Sequence, residues 1–416
     1  MTEIHRFLVN ARAFRSKLQA CHNFLEIQKL WRETDLPYSV SEDDPFSESY
    51  RLEQLELYRA LSGLEYTLTN ELTSTRQSQA DFERGYPWIT GDLATISEHS
   101  GKVAQAFAAL GSFFDRESGS LSVAEFGAGW GNLAIPLARS GLKVTCVDID
   151  TGFLDRIGRI AVRNDLQIAF CASDFVAAAE NLEGPFDGII FQSSFHHCLD
   201  FDRLLWKIHE HQLSSRGAIF FLAEPIDEGF NLPWGLRHDG ESLWAIMLNG
   251  WLELGFSRDF FLNLLFRNGY FVRDIPALGN LAGPGFLATK STTETALRNF
   301  LLPKIFSDTW HVEPKDGHAS FSKRLSVLPG LRDCKSTQKS YRLRIANYGV
   351  EDTQIAIKGE LGREQVEIRR GEELKLQVAA NCDRVEFYSS TYVPNEIYSN
   401  GDTREVGFAI LEVAAG

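Results

Sequence analysis

The chain has 416 residues, 44% of them hydrophobic, and a formal net charge of −14 at pH 7. That length holds two or three domains with sizeable cores, and the acidic balance argues against nucleic acid or an anionic membrane as substrate, since phosphate contacts need a basic surface. With no run of about 20 apolar residues, no signal peptide at Met1–Arg6 and no C-x-x-C pair among Cys21, Cys146, Cys171, Cys198, Cys334 and Cys382, the expectation is a cytoplasmic protein with reduced thiols and no membrane span.

Residues 1–99 read as helical. Phe7, Ala11, Phe14, Leu18 and Cys21 recur at steps of three and four, one apolar face of a helix. A polar break at Ser41–Pro45 precedes a second stripe at Leu55, Tyr58, Leu61 and Leu64. After the turn Gly85-Tyr86-Pro87-Trp88, a helix is expected from about Asp92 to Phe114. These helices are expected to cap a sheet, with the segment from Tyr86 to Trp88 also a candidate cover for a ligand.

The densest signal follows at Val123-Ala124-Glu125-Phe126-Gly127-Ala128-Gly129-Trp130-Gly131 and Lys143-Val144-Thr145-Cys146-Val147-Asp148. A short strand ends in a glycine turn that opens a helix, and a second strand ends in an acid. Glycines allow close backbone approach, and the free N–H groups of a helix start attract an anion. Asp148 follows Gly127 by 21 residues, the usual separation for an acid on ribose hydroxyls. The spacing G-x-G-x-G departs from the dinucleotide pattern G-x-G-x-x-G. Glu125 sits poorly beside a pyrophosphate but suits a ligand ammonium.

This stretch resembles motif I of the class I S-adenosylmethionine-dependent methyltransferases. Further along, Ile168–Phe175 is similar to the family's third strand, Phe186–His197 to its fourth strand and loop, and Ala218–Pro225 to its fifth strand. Gly269–Val272 and Gly285–Lys290 are similar to its closing hairpin, so the resemblance spans residues 100–290. It implies S-adenosyl-L-methionine as cofactor, with Glu125, Gly127, Ala128, Gly129 and Gly131 at the methionine end. Asp148 would hold the ribose, Asp174 and Phe175 the adenine, and Ile149 and Gln192 would join the cofactor site.

Methyl transfer to a hydroxyl needs a base, and histidine titrates near working pH. His196 and His197 follow the fourth strand, where such sheets bind ligands. Resemblance to sugar O-methyltransferases of bacterial polysaccharide clusters implies a catalytic histidine in this loop, His197 before His196, with Glu224 as its supporting carboxylate. No metal is expected. His196, His197 and Asp200 offer a possible chelating set, but adjacent histidines rarely point the same way.

The excursion after the fifth strand mixes aromatic and polar groups. Trp234, Arg237, Asp239 and Glu241 are candidate contacts for a sugar acceptor. Trp244 and Trp251, seven residues apart, fit a helical core stripe instead. Beyond a connector at 291–330, which begins as a helix, period-two alternation sets in. It runs through Tyr341, Leu343 and Ile345, then Ile355 and Ile357, Val366 and Ile368, and Leu374, Leu376 and Val378, so a small antiparallel β-sandwich is expected over 331–416. Val393–Glu396 and Gly401–Gly407 resemble tails found on proteins of bacterial surface-polysaccharide clusters. The expected whole is an α/β protein: N-terminal helices, a Rossmann-like seven-stranded methyltransferase domain, then the β-sandwich. The resemblance implies an O-methyltransferase with a small-molecule or glycan acceptor, its expected target a sugar hydroxyl in a glycan, a glycan precursor or a glycosylated metabolite. A methyltransferase acting on carbon, a lipid or a quinone, or a non-catalytic binding scaffold, are the alternatives.

Overall fold

The computed structural model describes residues 3–22, 24–36, 45–72, 78–114, 118–290, 319–320, 324–327, 340–349, 351–359, 362–379, 385–391 and 407–415. The chain divides into two units, Met1–Arg258 with Arg273–Leu287, and Asp259–Val272 with Ala288–Gly416. The helices before residue 100 thus share a unit with the sheet that follows them.

Helix α1 (Glu3–Gln19) buries Phe7, Ala11, Phe14 and Leu18, the predicted face. It packs on α2 (Phe24–Arg32) and α3 (Glu48–Ser62). Ser47 caps α3 by accepting from the Tyr50 N–H, and Gly63 closes it at φ +79°, the left-handed turn that glycine adopts without strain. Helix α4 (Gln79–Arg84) is short, and α5 (Leu93–Phe113) begins at Asp92, whose carboxylate accepts from the N–H groups of Ala94 and Thr95.

Strands β1 (Ser122–Phe126), β2 (Lys143–Asp148), β3 (Ile168–Ala172), β4 (Phe186–Gln192) and β5 (Leu213–Leu222) pair in parallel wherever they are neighbours. Helices α6 (Ala134–Arg139), α7 (Thr151–Arg163), α8 (Phe175–Asn181) and α9 (Phe201–Lys207) fall between them. Central strand β1 has Val123, Ala124 and Phe126 fully buried, as a parallel strand covered on both faces must. Strand order reverses at β1, between β2 and β4, which opens a crevice at the carboxyl ends of these strands.

After β5 the chain makes a small sheet of β6 (Ile226–Asp227), β7 (Trp234–Leu236) and β8 (Leu254–Ser257), with helix α10 (Gly240–Trp244) between the last two. The N-terminal helices hold this excursion. The Tyr50 hydroxyl donates to the Trp234 carbonyl at 2.7 Å, and that of Tyr58 to the Gly250 carbonyl at 2.6 Å. Strands β9 (Tyr270–Ile275) and β10 (Gly285–Lys290) complete the main sheet in the order β3-β2-β1-β4-β5-β10-β9. This is the Rossmann-like seven-stranded arrangement expected from sequence.

The second unit carries two four-stranded sheets. One has the order β11 (Ala319–Ser320), β18 (Ala409–Ala415), β13 (Ser340–Ala346), β16 (Glu373–Ala379); the other β12 (Arg324–Val327), β17 (Val385–Tyr388), β14 (Thr353–Gly359), β15 (Gly362–Ile368). Leu343, Ile345 and Ile410 are buried from the first, Ile355, Ile357, Ile368 and Phe387 from the second. Phe387 meets Phe408, which immediately precedes β18, at 5.9 Å between ring centroids. Leu374 and Leu376 are only half-buried. Two strands of these sheets precede residue 331. The helical start of the connector, the Val393–Glu396 segment and residues 401–406 lie outside the described residues.

Candidate active site

The glycine turn is built from strained angles that only glycine meets freely: φ is +80° at Gly127, +46° at Gly129 and +73° at Gly131. A Cβ on Gly127 would lie 2.5 Å from the Ser194 Cβ, and one on Gly131 would lie 2.7 Å from the Ile157 side chain. The Gly127 N–H donates to the Val147 carbonyl at 2.8 Å, which ties the turn to β2. Asp148 accepts from the N–H groups of Gly129 and Asp150, each at 2.8 Å. Burial raises its pKa to about 6 despite those bonds. Glu125 is buried beneath the turn, where burial first and the Asp148 charge second raise it to about 8. Among the described residues its Oε2 has no hydrogen-bond partner, and neither has the buried Oε1 of Gln192.

A cavity of about 720 Å³ opens at the strand ends. Gly127, Gly129, Asp148, Ile149, Asp174 and Phe175 line one end. Asp174 spends one oxygen capping α8 through the Ala177 N–H at 3.0 Å. Phe175 stands against Phe126 and Phe191. Glu125, Ala128, Gly131 and Gln192 support this end from outside the lining.

At the other end stand Tyr66, Leu68, Glu71, His197 and Trp251. The histidines sit in a loop fixed from below by aromatic contacts. Phe195 meets Phe191, Phe221 and Phe256 at 5.3, 5.1 and 5.6 Å between centroids. Ser193 at φ +51° and Ala223 at φ +52° place two non-glycine residues in the left-handed region, at the ends of β4 and β5. Such strain persists where surrounding structure over-determines it, commonly at working sites.

The hydrogen bonds of Glu224 go to His196 and its loop, not to the His197 ring. Its Oε1 accepts from the N–H groups of Ser194 and Phe195 at 2.8 and 3.0 Å, and its Oε2 from the His196 N–H at 3.2 Å. The same Oε2 lies 2.7 Å from the His196 Nδ1. Burial would raise Glu224, but His196 and these N–H groups hold it below the usual carboxylate range. His196 is itself buried, and that burial lowers it to about 4. Its neutral ring therefore donates through Nδ1, and Nε2 faces the Glu253 Oε2 at 3.6 Å.

The carboxylate beside His197 is Glu71, 3.2 Å from Nδ1. Glu71 is anchored by the Leu252 N–H at 2.8 Å. Burial alone would lower His197, but Glu71, with Glu253 and Glu224, raises it to about 9. The two imidazoles stand 4.3 Å apart, tilted by 36°. Adjacent histidines here do converge. With Glu253 they offer ligand atoms within 4.8 Å of one another. Asp200, the sequence candidate for that set, instead pairs with Arg51.

The excursion departs from expectation. Trp234 is 3% exposed, its Nε1 donates to the Pro45 carbonyl at 2.7 Å, and it packs on Tyr50 and Phe201. It is a core residue with nothing left to offer a sugar. Asp239 caps α10 through the Ser242 N–H and holds Arg237 at 2.9 Å. Both line another cavity of about 480 Å³, whose lining shares no residue with that of the first. Glu241 is exposed in the first turn of α10. Trp251 lines the main cavity, while Trp244 packs on Trp31 and Trp251. Trp88 is 48% exposed, and the cover over the cavity comes from Arg51, Leu55 and Tyr66–Glu71 instead. Glu71 and Glu253 were missed because neither sits in a motif; each acts through a fold contact that joins distant segments.

Residues 123–212 match the methyltransferase domain family. A comparison with curated proteins finds no match. Among solved structures, the chain is similar to the 1,6-didemethyltoxoflavin-N1-methyltransferase of Burkholderia thailandensis, determined with 1,6-didemethyltoxoflavin and S-adenosylhomocysteine. Identity there is 18%, coverage 62% of this chain and 95% of that one, and TM-score 0.36. It is also similar to the magnesium protoporphyrin IX methyltransferase of Synechocystis PCC 6803, at 17% identity over 50% of this chain and 91% of that one, with TM-score 0.38. A third is the mitomycin 7-O-methyltransferase, at 18% identity over 57% and 66%, with TM-score 0.37.

Proposed function

We propose, from the premise that residues 123–212 form a methyltransferase domain, that this protein transfers a methyl group from S-adenosylmethionine to a hydroxyl, and that the hydroxyl belongs to a sugar. The observation that carries this reading is a single cavity joining the glycine turn and Asp148 to His197 and Trp251.

The residues at the first end fit the cofactor. The unpartnered Glu125 Oε2 suits an ammonium, and the Asp148 carboxylate suits a pair of ribose hydroxyls. Phe175 offers a ring to adenine, and Asp174 keeps one oxygen beyond its capping bond for the adenine amino group. Bound there, S-adenosylmethionine supplies an electrophilic methyl on a sulfonium sulfur. What this chain adds is position and control of a proton.

Activation of the acceptor hydroxyl falls to the cluster of His196, His197 and their carboxylates, with His197 the member on the cavity wall. Glu224 fixes the ring and tautomer of His196; Glu71 and Glu253 set the field around both rings. Sugar is favoured as acceptor because Trp251 and Tyr66 give aromatic faces while Glu71, Arg51 and Asp200 give hydrogen-bonding groups on the same wall.

Methyl-labelled S-adenosylmethionine, offered with nucleotide sugars and glycosides on one side and quinols and phenols on the other, tests the acceptor. Label on sugar hydroxyls supports the reading, and label on quinols alone overturns it. His197→Ala should lower turnover about 100-fold or more while S-adenosylhomocysteine affinity stays within about threefold. Normal turnover in that variant moves activation elsewhere.

A further inference from the structure

We propose that His196, His197 and Glu253 hold a divalent transition-metal ion at the acceptor end of the cavity. The ion's binding stands on geometry alone; its role in catalysis rests on the methyl-transfer reading above.

Three observations converge. One ligand atom from each of these residues lies within 4.8 Å of the others, and donors sharing one ion at about 2.0–2.2 Å necessarily stand only a few ångströms apart. His196 Nδ1 is engaged by Glu224 at 2.7 Å, and Glu224 is itself locked by three backbone N–H groups. That is the carboxylate–histidine arrangement that orients a metal-binding ring and leaves Nε2 as ligand. The Glu71 carboxylate stands 3.2 Å from the Nδ1 of His197.

The free face of His196 supplies the third observation. Glu224 can only accept, so the ring proton sits on Nδ1 and the Nε2 lone pair points toward the Glu253 Oε2 at 3.6 Å. Two acceptors face each other with room for one atom between them. A cation there satisfies both.

Two imidazoles and one carboxylate with open positions suit Zn²⁺, Mn²⁺, Fe²⁺ or Co²⁺ better than the oxygen-seeking Mg²⁺ and Ca²⁺. Of the three, His197 lines the cavity, and its side chain is 25% exposed. This departs from the expectation of no metal, and it replaces Asp200 by Glu253 in the set considered from sequence.

An acceptor hydroxyl bound to the ion would be acidified. Its O–H bond breaks with the proton passing to water. An oxygen lone pair forms the new C–O bond to the methyl, and the C–S bond breaks with its electron pair left on sulfur.

The test uses the full-length protein, stripped with a chelator, dialysed and titrated with Co²⁺ and then Zn²⁺. One equivalent of Co²⁺ should bind with visible d–d bands, and Zn²⁺ should abolish them. Glu253→Gln should lose the bands at the same Co²⁺ concentration. Glu224→Gln should weaken binding about 10- to 100-fold, and Asp200→Asn should leave it unchanged. S-adenosylhomocysteine binding, followed by calorimetry in every variant, reports that the fold is intact. Folded protein that binds S-adenosylhomocysteine but no Co²⁺, or Co²⁺ binding that Glu253→Gln leaves untouched, overturns the metal site and leaves methyl transfer standing. Co²⁺ binding without any S-adenosylhomocysteine binding does the reverse.

Discussion

The two ends of the main cavity are made differently. The donor end comes from the tips of β1, β2 and β3 and the turns that follow them, neighbours within one parallel sheet. The acceptor end is assembled from three stretches far apart in the chain: Tyr66–Glu71, Ser193–His197 and Trp251–Glu253. A sheet edge tolerates change elsewhere because its strands are fixed by backbone bonds. An end built on contacts such as Glu71 to Leu252 depends on every element that carries it. Damage to the N-terminal helices or the excursion should therefore spoil the acceptor end first.

The largest expected effect comes from Trp234→Ala. Removing this buried ring and its bond to Pro45 should cost roughly 3–5 kcal/mol of stability, read by denaturant unfolding. A Trp234 that served only as a sugar platform would leave stability unchanged and alter acceptor KM alone.

Gly127→Ala attacks the donor end. Left-handed backbone costs about 1–2 kcal/mol for a non-glycine residue, and the new Cβ would meet Ser194 at 2.5 Å. S-adenosylhomocysteine affinity should fall about tenfold or more by calorimetry. An unchanged affinity would show that the turn does not hold the ligand.

A pH series separates the ends further. Asp148 and Glu125 have folded pKa values raised to about 6 and about 8. Both acids hold protons that the unfolded chain would release. Their contribution to the stability of the ligand-free protein is therefore greatest below the unfolded carboxylate range and is lost as pH rises toward 8. The ligand's ammonium favours an ionised Glu125 and its ribose hydroxyls an ionised Asp148, so S-adenosylhomocysteine affinity should rise between pH 5 and 7.5, with proton release visible in buffers of different ionisation enthalpy. Glu125→Gln should flatten the upper part of that rise.

The smallest effect is expected at Glu241, exposed on α10. Glu241→Gln should change stability by less than about 0.5 kcal/mol and leave S-adenosylhomocysteine affinity unaltered. A large rise in acceptor KM would return Glu241 to the acceptor end.

The same contrast explains what could be read beforehand. Strand, glycine turn and acid lie together at Val123–Gly131 and Lys143–Asp148, so local pattern revealed the sheet and the turn at its edge. The β-rich character of the C-terminal region was legible from alternation such as Leu343 and Ile345, but short strands β11 and β12 lack a period and were missed. At the acceptor end, local pattern misled. The histidine–carboxylate pairing was right in kind, yet Glu224 turns to His196, and the partner of His197 lies 126 residues earlier in the chain, at Glu71. Trp234 and Trp251 exchanged roles because helical spacing does not say which side of a fold contact faces a cavity.

Calorimetric titration of S-adenosylhomocysteine into the full-length protein, the Asp148→Ala variant and the His197→Ala variant tests the central claim most directly. The predicted result is one binding site per chain, weakened about 100-fold by Asp148→Ala, or about 2.8 kcal/mol, and unchanged within about threefold by His197→Ala. Absence of binding to the wild-type protein, or equal affinity in the Asp148→Ala variant, would contradict the placement of a methyl donor at this sheet edge.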